Sequence, residues 1–408
     1  MPKSNAPVRA GRGFVVTIGI IAALGPLAID MYLPSILGMA ADLNATYASM
    51  QLSLTVFLLA MGAGQLVFGP IADAIGRRIP VITGLIVYIV MAAASAFSMS
   101  FEVLIVARTV QGLAAAVLLV VAMSSVRDVT SGIRAAQIFA MLMTVEGLAP
   151  IVAPVVGGVI GGSFGWRGVM VALAIFGLIV LLNTVFNFPE TLPRSKRTSL
   201  RLKAVFGTYK EIICDSGFVI PGAALTSAFF FLFAYIGGAG YAYQNDFGLS
   251  VERFGYVFGA TGVAVLVGAI LAGKLVAHVK IQGLSVVGGL LMLLGALVAI
   301  IAGGTSAGLA GVVIGIAIAM LGLGIAEATL MSIAMSARDK AVGASVAVLG
   351  AFQLGVAGFA TPIAGQLVEK GVNAWLGFLV TVALVTVVLS VISAYRSIRS
   401  GAVVDMHH

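Results

Sequence analysis

The chain has 408 residues, of which 61% are hydrophobic and only 9% are charged, and its net charge is +8. A soluble domain carries about 25% charged residues, so this composition excludes soluble globular, disordered and nucleic-acid-binding proteins. The single cysteine, Cys214, excludes a disulfide framework and a Cys-rich metal site. We therefore expect an all-α polytopic membrane protein that lies in a lipid bilayer and has no nucleic acid partner.

Twelve apolar runs are long enough to be spanning helices, which need about 20 mainly apolar residues. The predicted spans are 14–37, 50–72, 80–99, 102–125, 136–160, 167–188, 217–243, 254–276, 283–302, 307–332, 341–367 and 373–395. They predict a cytoplasmic tail 1–13, an N-terminal six-helix bundle 14–188, a basic cytoplasmic linker 189–216, a C-terminal six-helix bundle 217–395 and a cytoplasmic tail 396–408. Two pseudo-symmetric six-helix bundles with a site between them form a recurrent transporter architecture.

The basic residues predict the orientation of these spans. If both termini are cytoplasmic, 19 of the 23 Lys and Arg residues flank the cytoplasmic ends of the runs, and three, Arg167, Arg253 and Lys370, flank the outer ends. Such a positive-inside bias predicts a multi-pass protein with both termini in the cytoplasm. The first run is too long for a cleaved signal sequence, so we expect it to remain as the first span.

Four charged residues lie well inside the predicted spans, away from their ends: Asp30, Arg108, Glu146 and Glu327. A charge at the bilayer centre costs at least about 2.5 kcal/mol, so such residues normally face a cavity, a partner or a proton path. Gln111 follows Arg108 by one turn and lies on the same helical face. These five residues are the candidate proton- and substrate-binding residues.

Each of these charges has an alternative interpretation. The ionisation of Asp30 can be coupled to the presence of a proton or cation, and Arg108 can either bind cargo or hold Asp30 ionised. Alternatively, the two form a buried ion pair that only orients the first and fourth helices. Glu146 and Glu327 are either further proton or cation sites, or side chains that reach an interface or a neighbouring backbone group.

The segment 69–78 reads Gly-Pro-Ile-Ala-Asp-Ala-Ile-Gly-Arg-Arg and resembles the loop motif between helices two and three of the major facilitator superfamily. Its Asp73 can cap a helix, and its Arg77 can pair with a carboxylate at a neighbouring helix end, for which Asp128 is the natural partner. By resemblance, Asp73, Arg77, Arg78 and Asp128 form a cytoplasmic gate that clasps the two halves.

The segment 147–158 resembles the antiporter motif of that superfamily's twelve-span drug:proton exporters. The resemblance is carried by Gly147, Pro150, Pro154, Gly157 and Gly158. Asp30-Met-Tyr-Leu-Pro34 and Arg108 with Gln111 extend the resemblance to the bicyclomycin and chloramphenicol resistance branch. Exporters of that branch use an acid of helix one and an arginine of helix four as functional groups.

The resemblance implies a proton-coupled multidrug exporter that works by alternating access and carries phenicols or lipophilic cations. We expect a monomer with no metal and no catalytic residue. We also expect no cofactor, because the proton gradient drives transport. Three rivals stay open: a proton-coupled importer of a small nutrient, an integral membrane enzyme and a channel. An enzyme would need a nucleophile or metal cluster, and the three histidines, His278, His407 and His408, form none; a channel would need a selectivity filter.

Overall fold

The computed structural model describes residues 11–198, 202–303, 308–338 and 341–399, and these ranges contain helices and no strand. The helices are α1 (Arg12–Asp30), α2 (Ile36–Asp42), α3 (Tyr47–Ile75), α4 (Arg78–Ala96), α5 (Phe101–Val129), α6 (Gly132–Asn187), α7 (Leu202–Cys214), α8 (Ser216–Tyr241), α9 (Val251–Leu275), α10 (Ile281–Gly303), α11 (Gly308–Ser336), α12 (Val342–Gly358), α13 (Ala360–Glu369) and α14 (Val372–Arg399). Residues 1–10 and 400–408 of the predicted tails, which include His407 and His408, and residues 199–201 of the predicted linker lie outside the described ranges.

Eleven helical segments of the described chain are long and apolar enough to cross a membrane, and one of them, α6, makes two crossings. Its 56 residues would extend about 84 Å, far more than the roughly 30 Å of a hydrocarbon core. Gly165 breaks the helix with a φ of 69°, which glycine tolerates. Near the start of α6, Arg134 lines a cavity with Arg12, and at its end Asn187 lies beside Gly13. Both ends of α6 therefore lie on the same side of the membrane, so the described helices account for all twelve predicted spans.

Two spans that the sequence predicts as continuous are broken in the structure, and a third ends in a π-helical turn. A 3₁₀ turn, Leu33–Ser35, separates α1 from α2, a π-helical turn, Ala242–Asp246, follows α8, and Phe359 separates α12 from α13. At the first break Pro34 has no N–H to donate to a continuous helix. Gln244 donates from Nε2 to the carbonyl of Pro34 at 2.9 Å, so the first break contacts the π-helical turn across the two halves.

The predicted linker contains a helix, α7, that the sequence analysis treated as polar connection. Its apolar residues recur at helical spacing, and Ile212 is fully buried whereas Phe206 is exposed. Tyr209 donates from its hydroxyl to the carbonyl of Leu66 in α3 at 2.9 Å. The linker helix therefore contacts the first half of the chain.

The two halves of the chain meet along two sets of helices. The first part of α6 packs on α9, and α3 packs on α12 and α13. Gly255 in α9 lies against the carbonyl of Pro154, and Gly365 in α13 lies against Ala48 in α3, so small residues allow close helix approach. We call the side of the membrane that carries the loop at 76–77 the basic face, and the other side the opposite face.

Polar contacts join the halves towards the opposite face. Thr55 Oγ1 donates to the carbonyl of Gly358 at 2.8 Å and lies 3.1 Å from the hydroxyl of Thr361. The backbone N–H of Ala48 donates to Glu369 Oε1 at 3.2 Å. These contacts hold α3 against α12 and α13, so the two halves are tied together there.

Candidate functional site

Arg108 lies inside the membrane in a site made by three helices. It is fully buried in α5, and its Nη2 donates to the carbonyl of Ala28 in α1 at 2.8 Å. Its Nη1 donates to Gln111 Oε1 at 2.9 Å. The guanidinium carbon lies 4.5 Å from the centre of the Tyr32 ring and 4.4 Å from that of Phe57, and such rings stabilise a desolvated cation. The sequence placed Arg108 and Gln111 on one helical face, and the structure joins them by this hydrogen bond, whereas the two aromatic rings had no signal in the sequence.

Asp30 is the last residue of α1 and is 5% exposed. It follows Ala28, which binds Arg108, by two residues, yet its carboxylate forms no ion pair with Arg108 or with any other described residue. The buried Asp30–Arg108 ion pair, which the sequence left open, is therefore absent from this structure. The two opposite charges lie on adjoining helices without neutralising each other directly.

Glu146 and Glu327 lie on opposite halves of the chain, in α6 and α11. Both helices pack on α9. Neither carboxylate pairs with a Lys, Arg or His of the described residues. Glu146 Oε1 is shielded from solvent and accepts no hydrogen bond within the described chain. The two acids are 181 positions apart in the sequence and lie on helices that share α9 as a packing partner.

The predicted gate residues gather around Arg77 at the basic face. Arg77 Nη2 lies 2.6 Å from Asp73 Oδ1, and its Nε donates to Asp128 Oδ2 at 2.9 Å, so the predicted pairing with Asp128 is confirmed. Burial disfavours the charged guanidinium, but Asp128 and Asp73 raise the pKa of Arg77 above its ordinary value. These ion pairs join α3, α4 and α5 of the first half and do not cross to the second, so the predicted clasp between the halves is not made by them. Arg127 does reach the second half and lies beside Gly343.

The segment after α6 covers this cluster, and the sequence analysis missed it. Glu190 Oε1 accepts from the backbone N–H of Arg77 at 2.9 Å, and its Oε2 accepts from that of Arg78 at 3.4 Å. Thr191 donates from Oγ1 to Asp128 Oδ2 at 2.9 Å. An acid at the first turn of a helix satisfies its free N–H groups, so Glu190 holds the start of α4. Its position after a proline at the end of the sixth span was the only available signal.

Arg78, the remaining predicted gate residue, does not join the ion pairs. Its Nη2 donates to the carbonyl of Val185 near the end of α6 at 2.9 Å. The contact ties the start of α4 to α6 within the first half of the chain.

The antiporter-motif residues lie in the part of α6 that passes between α1 and α9. A Cβ on Gly157 would fall on the backbone of Met31, and a Cβ on Gly158 would meet Val251 and Glu252 at the start of α9. Pro154 presents its carbonyl to Gly255, and Pro150 presents its carbonyl to Gly262 at 3.1 Å from the position of a Cβ there. Gly147, in contrast, has open space beside it.

The family model for the Major Facilitator Superfamily matches residues 18–362 of this chain. An uncharacterized MFS-type transporter, YdgK, of Bacillus subtilis is 35% identical over 261 residues, which are 63% of this chain and 64% of the relative. A bicyclomycin resistance protein homolog of Haemophilus influenzae is 29% identical over 65% of this chain and 67% of that protein. The multidrug resistance protein MdtL of Escherichia coli is 30% identical over 46% of this chain and 48% of its own length. The aligned regions thus span between about half and two thirds of these relatives.

A solved structure shares the fold. It is a bacterial homolog of the human lysosomal transporter Spinster, crystallised in an inward-facing and unoccupied conformation. Its TM-score is 0.71 at 16% identity, and the superposition covers 95% of this chain and 96% of that one. At this level of identity the likeness concerns the fold alone.

Proposed function

The chain belongs to the major facilitator superfamily, and we propose that it exports amphipathic drugs across a bacterial inner membrane in exchange for protons. Two relatives are named for resistance to bicyclomycin or to multiple drugs, and phenicols and lipophilic cations are the proposed cargo. In this proposal the protein acts as a monomer with both termini in the cytoplasm, so the basic face is cytoplasmic.

The observation that carries the proposal is the unpaired state of Asp30. It is buried in the membrane beside the helix segment that binds Arg108, and no described cation neutralises it. A charge in this position is costly. Protonation of Asp30 and the arrival of cargo can therefore each change the free energy of the conformation at the end of α1. Asp30 is therefore the proposed coupling acid. Arg108 and Gln111 are the proposed groups that respond to its charge.

The proton gradient is sufficient for such an exchange. One charge crossing the membrane gains about 2.3 kcal/mol per 100 mV, and each pH unit adds about 1.4 kcal/mol. A single proton at about 100 mV and half a pH unit therefore sustains roughly a hundredfold gradient of a neutral drug.

Drug-stimulated proton movement in proteoliposomes tests the proposal. Purified wild type and Asp30→Asn are compared under an imposed pH gradient, with chloramphenicol and tetraphenylphosphonium as probes. We expect drug to drive counter-movement of protons in the wild type and the variant to bind drug without moving protons. Movement of drug and protons in the same direction would make the protein an importer, and normal coupling in the variant would remove Asp30 from the coupling role.

A further inference from the structure

We propose that the linker helix α7 is a strap between the two halves of the chain at the basic face, and that Tyr209 fastens this strap to the first half. Tyr209 is then a positioning residue of the transport cycle, because it favours the conformation in which the halves are tied together towards the opposite face. The inference rests on the alternating access of the proposed function and adds a residue that lies outside the membrane spans.

The hydroxyl of Tyr209 binds a backbone carbonyl that its own helix leaves short of a donor. In an α-helix the carbonyl of residue 66 accepts from the N–H of residue 70. Residue 70 is Pro70, which lies inside α3 and has no N–H. Tyr209 donates to the carbonyl of Leu66 at 2.9 Å. Because an unpaired carbonyl away from water is costly, and Leu66 is half-buried, this contact stabilises α3 at the turn that contains the proline.

The other end of α7 is fixed to the second half. Asp215 alone separates α7 from α8. Arg338, which follows α11, donates from Nη1 to Asp215 Oδ2 at 3.1 Å and to the carbonyl of Glu211 at 3.3 Å. The helix also packs on α12 and α8. The body of α7 therefore belongs to the second half, and Tyr209 reaches from it to α3.

The segment before α7 is bound to the first half instead. Besides the contacts of Glu190 and Thr191, the backbone N–H of Thr198 donates to the carbonyl of Asp73 at 3.2 Å. The chain thus changes its attachment from the first half to the second between Thr198 and α7. Leu66 lies seven residues before Asp73, which is about 10 Å along α3, so Tyr209 contacts the first half well inside the helix rather than at its end.

This arrangement makes the contact specific to one position of the halves. Hydrogen bonds to carbonyls have donor–acceptor distances up to about 3.2 Å. When the halves move relative to each other in the transport cycle, α7 moves with the second half, and Tyr209 keeps Leu66 only if α3 moves with it. The bond therefore favours the conformation in which it is made over the conformation in which the opposite face is open.

The reactivity of a buried thiol between the halves tests the strap. In the purified full-length protein Cys214→Ser removes the native thiol, and Thr361→Cys places one where Thr361 is fully buried against Thr55 of α3. A thiol reagent reaches this position only when the opposite face opens, so the alkylation rate follows the open fraction. We expect Tyr209→Phe, which removes only the hydroxyl, to raise this rate about three- to tenfold.

Two controls separate the strap from general loosening of the fold. Tyr395→Phe changes an exposed tyrosine in the last part of α14 and should leave the rate unchanged. Ser390→Cys places the thiol at a fully buried position of α14, which packs on α8, α10 and α13 of its own half. Alkylation at this second thiol should not respond to Tyr209→Phe.

The two ends of the strap supply further tests. Arg338→Gln loosens the end at the second half and should raise the rate at Thr361→Cys, and in combination with Tyr209→Phe it should give less than the product of the two single factors. Pro70→Ala gives the carbonyl of Leu66 a donor within its own helix, so Tyr209→Phe should then change the rate by less than about twofold.

Several outcomes would overturn the strap. An unchanged rate in Tyr209→Phe, or an equal rise at Ser390→Cys, would show that the hydroxyl does not hold the halves. Independent effects of Tyr209→Phe and Arg338→Gln, or a full effect of Tyr209→Phe beside Pro70→Ala, would likewise contradict it. If Thr361→Cys fails to fold, Thr55→Cys places the thiol on the facing helix and must give the same result.

The test separates this inference from the proposed function. Proteoliposomes that exchange drug for protons, in a protein whose alkylation ignores Tyr209, would refute the strap and leave the exporter standing. A rise confined to the thiol between the halves, in a protein that exchanges no protons for drug, would support the strap and refute proton-coupled export.

Discussion

Replacing Gly157 with alanine tests the contact between α6 and α1 that adjoins Asp30. A Cβ at this position would fall on the backbone of Met31, and backbone cannot turn aside as the end of a side chain can. One helix must therefore shift, and overfilling a packed site costs about 1–3 kcal/mol. Alanine gains about 1 kcal/mol over glycine inside a helix. We expect a net destabilisation between about zero and 2 kcal/mol.

Gly147→Ala is the matched control, because it changes the same residue type in the same helix where no atom lies within 4 Å of the added Cβ. This variant should keep the helix-propensity gain of about 1 kcal/mol without a clash. The difference between the two variants, about 1–3 kcal/mol, is then free of the propensity effect. Thermal unfolding of both proteins in one detergent measures it. Equal unfolding midpoints would refute the close contact of α6 with α1.

Two further predictions concern buried cations. Asp128→Ala should lower the free energy of unfolding by about 3 kcal/mol, because it leaves the buried guanidinium of Arg77 short of a partner. Asp73→Ala, at a side chain that is 48% exposed, should lower it by about 1 kcal/mol or less. Denaturant unfolding of both variants checks this order, and equal losses would contradict it. Phe57→Leu should lower the free energy of unfolding by about 1–2 kcal/mol, because Arg108 loses one of its two rings. Phe97→Leu, at an exposed ring, should leave it unchanged. Thermal unfolding midpoints of the two variants test this, and two unchanged midpoints would count against the ring contact.

The apolar runs were sufficient to predict twelve crossings, because transfer into lipid acts on each helix separately and needs no knowledge of its neighbours. The predicted gap between residues 160 and 167 coincides with the break at Gly165. The pairing of Arg77 with Asp128 was also predictable, since both sit at helix ends on one side of the membrane and carry opposite charge.

Contacts between distant segments were not predictable from one sequence. Glu190 binds the backbone of Arg77 across 113 positions, and neither residue type nor local spacing reports such a contact. The packing of both α6 and α11 on α9 sets where Glu146 and Glu327 lie, and predicting it requires the order of helices around the bundle. The contact of the Phe57 ring with Arg108 was not predictable for the same reason. The sequence does not report which way an apolar side chain in an apolar run is directed.

The contact between α6 and α1 offers a test of how proton and cargo are coupled. If the proton binds at Asp30, a movement of α6 reaches it directly, because Gly157 of α6 rests on the backbone of Met31, the next residue. We therefore expect Gly157→Ala to keep tetraphenylphosphonium binding within about twofold of wild type and to lose most of the proton exchange. Full proton exchange by a Gly157→Ala protein in which α1 is displaced would show that coupling follows another route.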